Sequence, residues 1–314
     1  MIRPTLFALC AQQCAFVAMV EAAAFADLSG RSAIVVGGTA GIGRGIALRL
    51  AAARASVTVV GRSAERGAEV VAAMAAAAGE QEPKPTFGFV ACDAYLLANV
   101  AAAATSLRPA PAPLDVLVLT QGMATFQGFT PSTEGLDQKM TLHYWSRALF
   151  IQKLLPSLRA APDARVLTVL SAGVHSAYGG YSTDVEVGAD SYSLKNAADA
   201  AGCYSDIMVD SLSRDPDNKS VLFAHAAPGF VSTSWGTELP GLVRGLVRGL
   251  QVFGRSMDKC GDAMVNGLMA GSAGGFRLLD QDGQEGPVVT GRHEEAREAV
   301  WAHTLGLFTR LGVE

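Results

Sequence analysis

The chain is predicted to be an α/β protein, a single domain with a doubly wound parallel β-sheet and helices on both faces. Three observations predict it. Short β-rich apolar runs alternate with longer stretches of helical periodicity from about residue 27 onward. The first of those runs ends in a cluster of glycines. Half of the 314 residues are apolar and 34 are glycine, against 7% aromatic, a balance that suits helix–strand packing and tight turns better than a sandwich.

In chain order, residues 33–36 form the first strand and 42–53 the first helix. A second strand covers 56–60, and an Ala-rich helix over 63–78 is stopped by Gly79 and the polar, proline-bearing stretch 80–85. The third strand is 87–91, followed by a helix over 96–107 and a rigid proline loop at 109–113. Residues 115–119 are continuously apolar after Asp115, as expected of a strand covered on both faces. A long helix over about 136–158 leads to a fifth strand at 165–170, and a helix over 193–212 to a sixth at 221–225. Helices at 242–253 and 258–269, a last strand at 275–279 and a closing helix over 294–311 complete the series. Helix-length connections between successive strands imply parallel pairing through right-handed crossovers. No repeat and no central boundary divides residues 27–314, which are read as one domain.

Residues 1–26 stand apart as an N-terminal extension. They are apolar from Leu6 to Phe25 except for Gln12, Gln13 and Glu21, which break any run long enough to cross a membrane. A helical segment or a cleaved targeting peptide fits them, and no membrane span is expected here or later. The formal net charge is −4 with no basic cluster, which argues against a nucleic-acid partner. Five cysteines without paired spacing read as small buried thiols in a reducing, cytoplasmic setting, with neither a disulfide framework nor a metal site.

The first strand runs into Val36-Gly37-Gly38-Thr39-Ala40-Gly41-Ile42-Gly43-Arg44-Gly45, where a helix opens. A dinucleotide pyrophosphate needs close backbone approach and helix N-terminal N–H groups, and both demands favour residues without a Cβ. The spacing of Gly37, Gly41 and Gly43 resembles the TGxxxGxG motif of the short-chain dehydrogenase/reductase family, with Val36 in place of the Thr. The resemblance runs over about residues 28–280. It implies a Rossmann domain with a seven-stranded parallel sheet, and assigns Gly37, Thr39, Gly41, Ile42, Gly43 and Arg44 to the cofactor.

After the second strand comes Val59-Val60-Gly61-Arg62-Ser63. An NAD site places a carboxylate about 20 residues past the glycines, on the ribose 2′-hydroxyl. Here the slot is basic. A guanidinium grips a 2′-phosphate through charge-assisted bonds, so Arg62, helped by Arg44, points to NADP or NADPH, with NAD the weaker choice. By resemblance, Asp93 meets the adenine, and Pro228, Gly229, Val231 and Thr233, in a PGxxxT-like turn, meet the nicotinamide carboxamide. The family's NNAG reads Leu119-Thr120-Gln121-Gly122, keeping only Gly122.

Reducing a carbonyl builds negative charge on oxygen, so a proton donor and a nearby cation are required. The resemblance gives Ser171 as the residue that hydrogen-bonds the carbonyl, Tyr192 as the acid, and Lys195 as the cation that also holds the ribose. His143 takes the position of an Asn that anchors a water relay. Tyr192 and Lys195 are three residues apart where the family has four. Partners at i,i+3 share a helix face, yet one residue turns a helix by about 100°. Tyr178 and Tyr181 are fallback donors.

A segment at about 234–255, with Leu242, Leu246 and Leu250 at helical spacing and Arg244 and Arg248 on another face, is expected as a mobile lid over an apolar carbonyl or alcohol. A membrane-surface helix is the competing reading. The expected function is NADP-dependent oxidoreduction. The alternative is a catalytically silent NADP(H)-binding sensor or assembly protein, to which the Tyr–Lys spacing lends weight. The resemblance further implies a homodimer or homotetramer.

Overall fold

The computed structural model describes residues 27–80, 82–107, 112–232 and 254–314. The N-terminal extension, Thr233, the helix expected at 242–253 and almost all of the expected lid lie outside the described residues.

Seven strands, β1 (Ser32–Val36), β2 (Ser56–Gly61), β3 (Phe87–Ala91), β4 (Val116–Leu119), β5 (Ala164–Val169), β6 (Val221–Ala226) and β7 (Gly275–Leu279), form one sheet in the order 3-2-1-4-5-6-7. Every pairing is parallel, with Val36 opposite Val60 on one side and Leu119 on the other. β4, β5 and β6 are buried along their whole length; β4 is wholly apolar, while β5 and β6 also bury Arg165, Thr168 and His225.

The helices are α1 (Gly41–Ala52), α2 (Ala64–Ala78), α3 (Leu97–Ser106), α4 (Gln138–Met140), α5 (Ser146–Ala160), α6 (Leu194–Arg214), α7 (Met257–Met269) and α8 (Gly291–Leu311). Alternate side chains of β1 enter two different cores: Ile34 and Val36 pack with α3, α5, α6 and α8, whereas Ala33 and Val35 pack with α1, α2 and α7. This is the doubly wound arrangement, and the strand order reverses between β1 and β4, where a crevice opens at the carboxyl ends of the strands.

Two helices depart from their expected form. The long helix over 136–158 is interrupted by a π-helical turn, Thr141–Trp145, between α4 and α5. Asp137 caps its start by accepting from Lys139 and Met140 backbone N–H groups, each at 3.0 Å. The helix expected from residue 193 begins at Leu194, with Ser193 as N-cap accepting from the Asn196 N–H. Tyr192 therefore lies ahead of the helix. α1 and α7 meet backbone to backbone. A Cβ on Gly45 would stand 2.5 Å from the Met257 carbonyl oxygen, and one on Gly261 would stand 2.8 Å from the Gly45 carbonyl carbon. No helix among the described residues is long and apolar enough to cross a membrane.

Candidate active site

A cavity of about 580 Å³ occupies the crevice. One wall is the turn from β1 into α1, with Gly37, Thr39, Ala40, Gly41, Ile42 and Gly43. Gly37 has φ +79°, and a Cβ there would stand 2.7 Å from the Gln121 amide nitrogen. A Cβ on Gly43 would stand 2.3 Å from Thr120 Oγ1 and 2.5 Å from the Gly37 oxygen. Thr120 donates through Oγ1 to the Val36 carbonyl at 2.8 Å, so a residue outside the NNAG pattern still ties β4 to β1 beneath the turn. Ala40 offers α1 no side-chain cap and no acid stands in the first turn, which leaves the helix's leading N–H groups for an anion.

At the β2 end Arg62 lines the cavity, its guanidinium carbon 5.1 Å from the centre of the Tyr95 ring. Arg66, which sequence reasoning passed over, lines it too; Arg44 does not. The signal for Arg66 was available: it stands four residues beyond Arg62, in the first turn of α2. Cys92 and Ala94 line the cavity, while the exposed Asp93 accepts from the Tyr95 N–H at 3.3 Å.

The opposite end is lined by Gly122, Leu142, His143, Arg147, Leu170 and Pro228. Gly229 (φ +68°) follows, and Val231 bridges to Arg255. His143 Nε2 accepts from the Met123 N–H at 3.0 Å, so the ring proton is on Nδ1. Burial, reinforced by Arg147 and Lys139, pushes its pKa down to about 3, so the ring is neutral near pH 7 and fixes the loop after β4. Arg147 was not foreseen, although a lone arginine within Ser146-Arg147-Ala148-Leu149-Phe150 is a signal for a buried cation. It is 1% exposed and donates to Thr168 Oγ1 (2.6 Å) and to the carbonyls of Val169 (2.9 Å), Gln121 (2.6 Å) and Leu142 (3.4 Å).

Ser171 follows β5, and its turn is held from behind by a buried network. The Ser171 N–H donates to His225 Nε2 at 3.0 Å and the Gly173 N–H to Asp206 Oδ2 at 3.0 Å. Because His225 Nε2 accepts, Nδ1 carries the proton and donates to Asp206 Oδ1 at 2.6 Å. His293 accepts from the Thr290 N–H at Nδ1 and gives Nε2–H to Asp206 Oδ2 at 3.3 Å. Burial favours the neutral acid, but His225 beside it and the three donors outweigh that and hold Asp206 below the usual carboxylate range.

Ser171 and His175 share the surface of Gly202 on α6, and neither is among the residues that line the cavity. A Cβ on Gly202 would meet Ser171 Oγ at 2.8 Å and His175 Cδ2 at 2.6 Å. His175 Nδ1 lies 3.0 Å from Asp199 Oδ1, and the other oxygen of Asp199 pairs with Lys195 Nζ. Burial works to raise the Asp199 pKa, but Lys195 and His175 together lower it. This couple was invisible in the sequence because its members are 24 residues apart.

Tyr192 and Lys195 are not brought together. The Lys195 side chain is 80% exposed and turned to Asp199. The Tyr192 ring sits edge-on to Phe129 at 5.8 Å, with its hydroxyl buried and without a hydrogen-bond partner. Burial, with Asp137 nearby, pushes its pKa up to about 12, the opposite of what an adjacent ammonium would do. The physical reason is that the helix begins only after Ser193, its N-cap, so Tyr192 lies ahead of it, where helical facing rules do not apply. Ser191, in the slot four before Lys195, bonds Asp184 and the Gly188 carbonyl. Tyr178 and Tyr181 pack on the core.

Residues 31–183 match the family model described as short chain dehydrogenase. An oxidoreductase of Emericella nidulans is 31% identical over 205 residues, 65% of this chain and 59% of that protein. An oxidoreductase of Emericella variicolor is 31% identical over 64% of this chain and 58% of its own, so the chain spans about three-fifths of the length of these relatives. A mouse polyprenol dehydrogenase is 28% identical over 88% of this chain and 84% of its own. Among solved structures, a metagenomic short-chain oxidoreductase in complex with NADP superimposes with a TM-score of 0.56 at 22% identity, covering 81% of this chain and 99% of its own. An NADPH-dependent 3-quinuclidinone reductase from Rhodotorula rubra gives 0.58 at 19% identity, covering 82% and 92%. At those identities the structures share the fold.

Proposed function

We propose that this chain is a short-chain dehydrogenase, as its match over residues 31–183 and its oxidoreductase relatives support, and within that family an NADP(H)-dependent oxidoreductase that interconverts an apolar carbonyl and its alcohol. The observation that carries the reading is the cradle: glycines whose absent Cβ atoms let the turn close against the end of β4, an α1 N-terminus with no side-chain cap above it, and Arg62 and Arg66 lining the same cavity. The residues fit the group. Gly37, Thr39, Gly41, Ile42 and Gly43 would hold the pyrophosphate, and Arg62 and Arg66 the 2′-phosphate, where NAD would want an acid. One structural neighbour holds NADP and another is an NADPH-dependent reductase, which supports the choice.

The cofactor supplies the hydride when bound. The chain's own work is to orient the substrate oxygen and move its proton. Ser171 Oγ, on a turn fixed from behind, is the group to donate to that oxygen. The His175 imidazole, aligned by Asp199 and sharing the Gly202 surface with Ser171, is the proton source this reading assigns. Tyr192 lacks the cation that would make it a useful acid.

A second reading, nucleotide binding without turnover, is favoured by the separation of Tyr192 and Lys195. NADPH consumption against a panel of apolar ketones and aldehydes decides between them. We expect turnover that falls about a hundredfold in His175→Gln and changes less than about threefold in Tyr192→Phe. Tight NADPH binding with no turnover on any carbonyl supports the second reading. Loss of turnover in Tyr192→Phe alone returns the acid to Tyr192.

A further inference from the structure

Arg147 is a cation without an anion. Its hydrogen-bond acceptors are three carbonyl oxygens and one hydroxyl, all neutral, and no carboxylate among the described residues pairs with it. It lines the end of the cavity away from Arg62 and Arg66, beside Gly122 and His143. Nη2, which donates to the Gln121 carbonyl, lies 3.9 Å from where a Cβ of the cavity-lining Gly122 would stand. His143 is neutral at pH 7 and adds no compensating charge. Lys139, also buried, bonds the Thr125 carbonyl and lies close to Asp137. Burying a lone guanidinium is costly, and a structural role alone is met at lower cost by a neutral donor such as glutamine.

With the 2′-phosphate end at Arg62 and the pyrophosphate at the α1 N-terminus, the nicotinamide takes the end where Arg147 stands. The oxidised ring carries one positive charge that the reduced ring lacks, and the two forms are otherwise nearly identical. Resting on the cofactor reading above, we infer that Arg147 makes the cavity prefer the reduced, uncharged nicotinamide over the oxidised, cationic one. A site with this bias fills with reduced cofactor from a mixed pool and works as a carbonyl reductase rather than an alcohol dehydrogenase. A unit charge across about 10 Å, at an effective dielectric constant near 20, changes a binding constant about tenfold.

The test is calorimetric titration with NADPH and with NADP⁺, without carbonyl substrate, for the wild type, Arg147→Gln and Arg147→Lys. The ratio of the two dissociation constants cancels the phosphate contacts and any general loosening. The wild type is expected to favour NADPH by about tenfold or more, Arg147→Gln to narrow the ratio by about tenfold, and Arg147→Lys to restore most of it. If Arg147→Gln does not fold, Arg147→Met, which preserves the apolar length of the stem, takes its place. A ratio unchanged in the folded neutral variant, or equal wild-type affinity for both forms, overturns the inference and leaves the cofactor reading standing. Binding of neither form by the wild type overturns both.

Discussion

Asp206 is the hub of the network behind Ser171, and removing its carboxylate has a cost that follows from the contacts. Three donors converge on it: His225 Nδ1–H and His293 Nε2–H, both buried with the carboxylate, and the Gly173 N–H at the edge of the network. Neither imidazole can relieve itself by changing tautomer, since His225 Nε2 is taken by the Ser171 N–H and His293 Nδ1 by the Thr290 N–H. Asp206→Ala leaves all three unmet. At roughly 1–3 kcal/mol per unsatisfied buried donor, with partial relaxation, the loss is about 3–5 kcal/mol, a large share of the stability of an ordinary domain. Asp206→Asn retains one acceptor oxygen but turns an amide toward at least one donor, and should lose about 1–3 kcal/mol. Urea unfolding at pH 7 measures both, and amide exchange at Ser171 and Gly173 should accelerate with them. Because the folded-state pKa of Asp206 lies below its unfolded value, the contribution is complete above about pH 4 and is lost as pH falls through the folded value. The wild-type and Asp206→Asn curves should therefore converge only in acid. A loss under about 1 kcal/mol for Asp206→Ala would refute the claim that this carboxylate organises the turn.

Three further outcomes follow from the cavity. Gly43→Ala forces a methyl group to within 2.3 Å of Thr120 Oγ1 and should cost about 1–3 kcal/mol in a melting experiment. NADPH affinity should fall at least about tenfold with it, and unchanged affinity would contradict the cradle. Arg62→Ala should weaken NADPH about tenfold, the low end for a charge-assisted bond because the side chain is exposed, and leave NADH within about twofold; equal losses would assign Arg62 to something other than the 2′-phosphate. His143, with a folded pKa of about 3, is protonated in the unfolded chain first. Stability should therefore decline by up to about 1.4 kcal/mol per pH unit below about pH 6, and His143→Asn should remove that slope.

The sheet was legible because both helical and strand periods are strong: each strand lies within a residue of its expected limits, as with β7 at Gly275–Leu279. The glycine turn was legible for a different reason, since Gly37 and Gly43 answer a demand for space that no other residue type meets. The chemical half was not. The start of α6 was legible to within a residue, but not that Tyr192, ahead of the Ser193 cap, and Lys195, turned to Asp199, would face different partners. The π-helical turn at Thr141–Trp145 leaves no mark in the apolar pattern, yet it ends two residues before Arg147 and contains His143. Long-range pairs such as His175 with Asp199 and His225 with Asp206 become partners only once β5, α6 and β6 are assembled.

The contact between Gly45 and Gly261 has a consequence at a distance. α1 presents its leading amides to the cavity, yet its tilt is set on the far side by a glycine of α7, more than two hundred residues away in the chain. A side chain at either glycine would wedge the two helices apart and swing those amides off their aim without touching a single cavity-lining atom. Substitutions at Gly261 belong with those at Gly43 when variants of this chain lose their nucleotide.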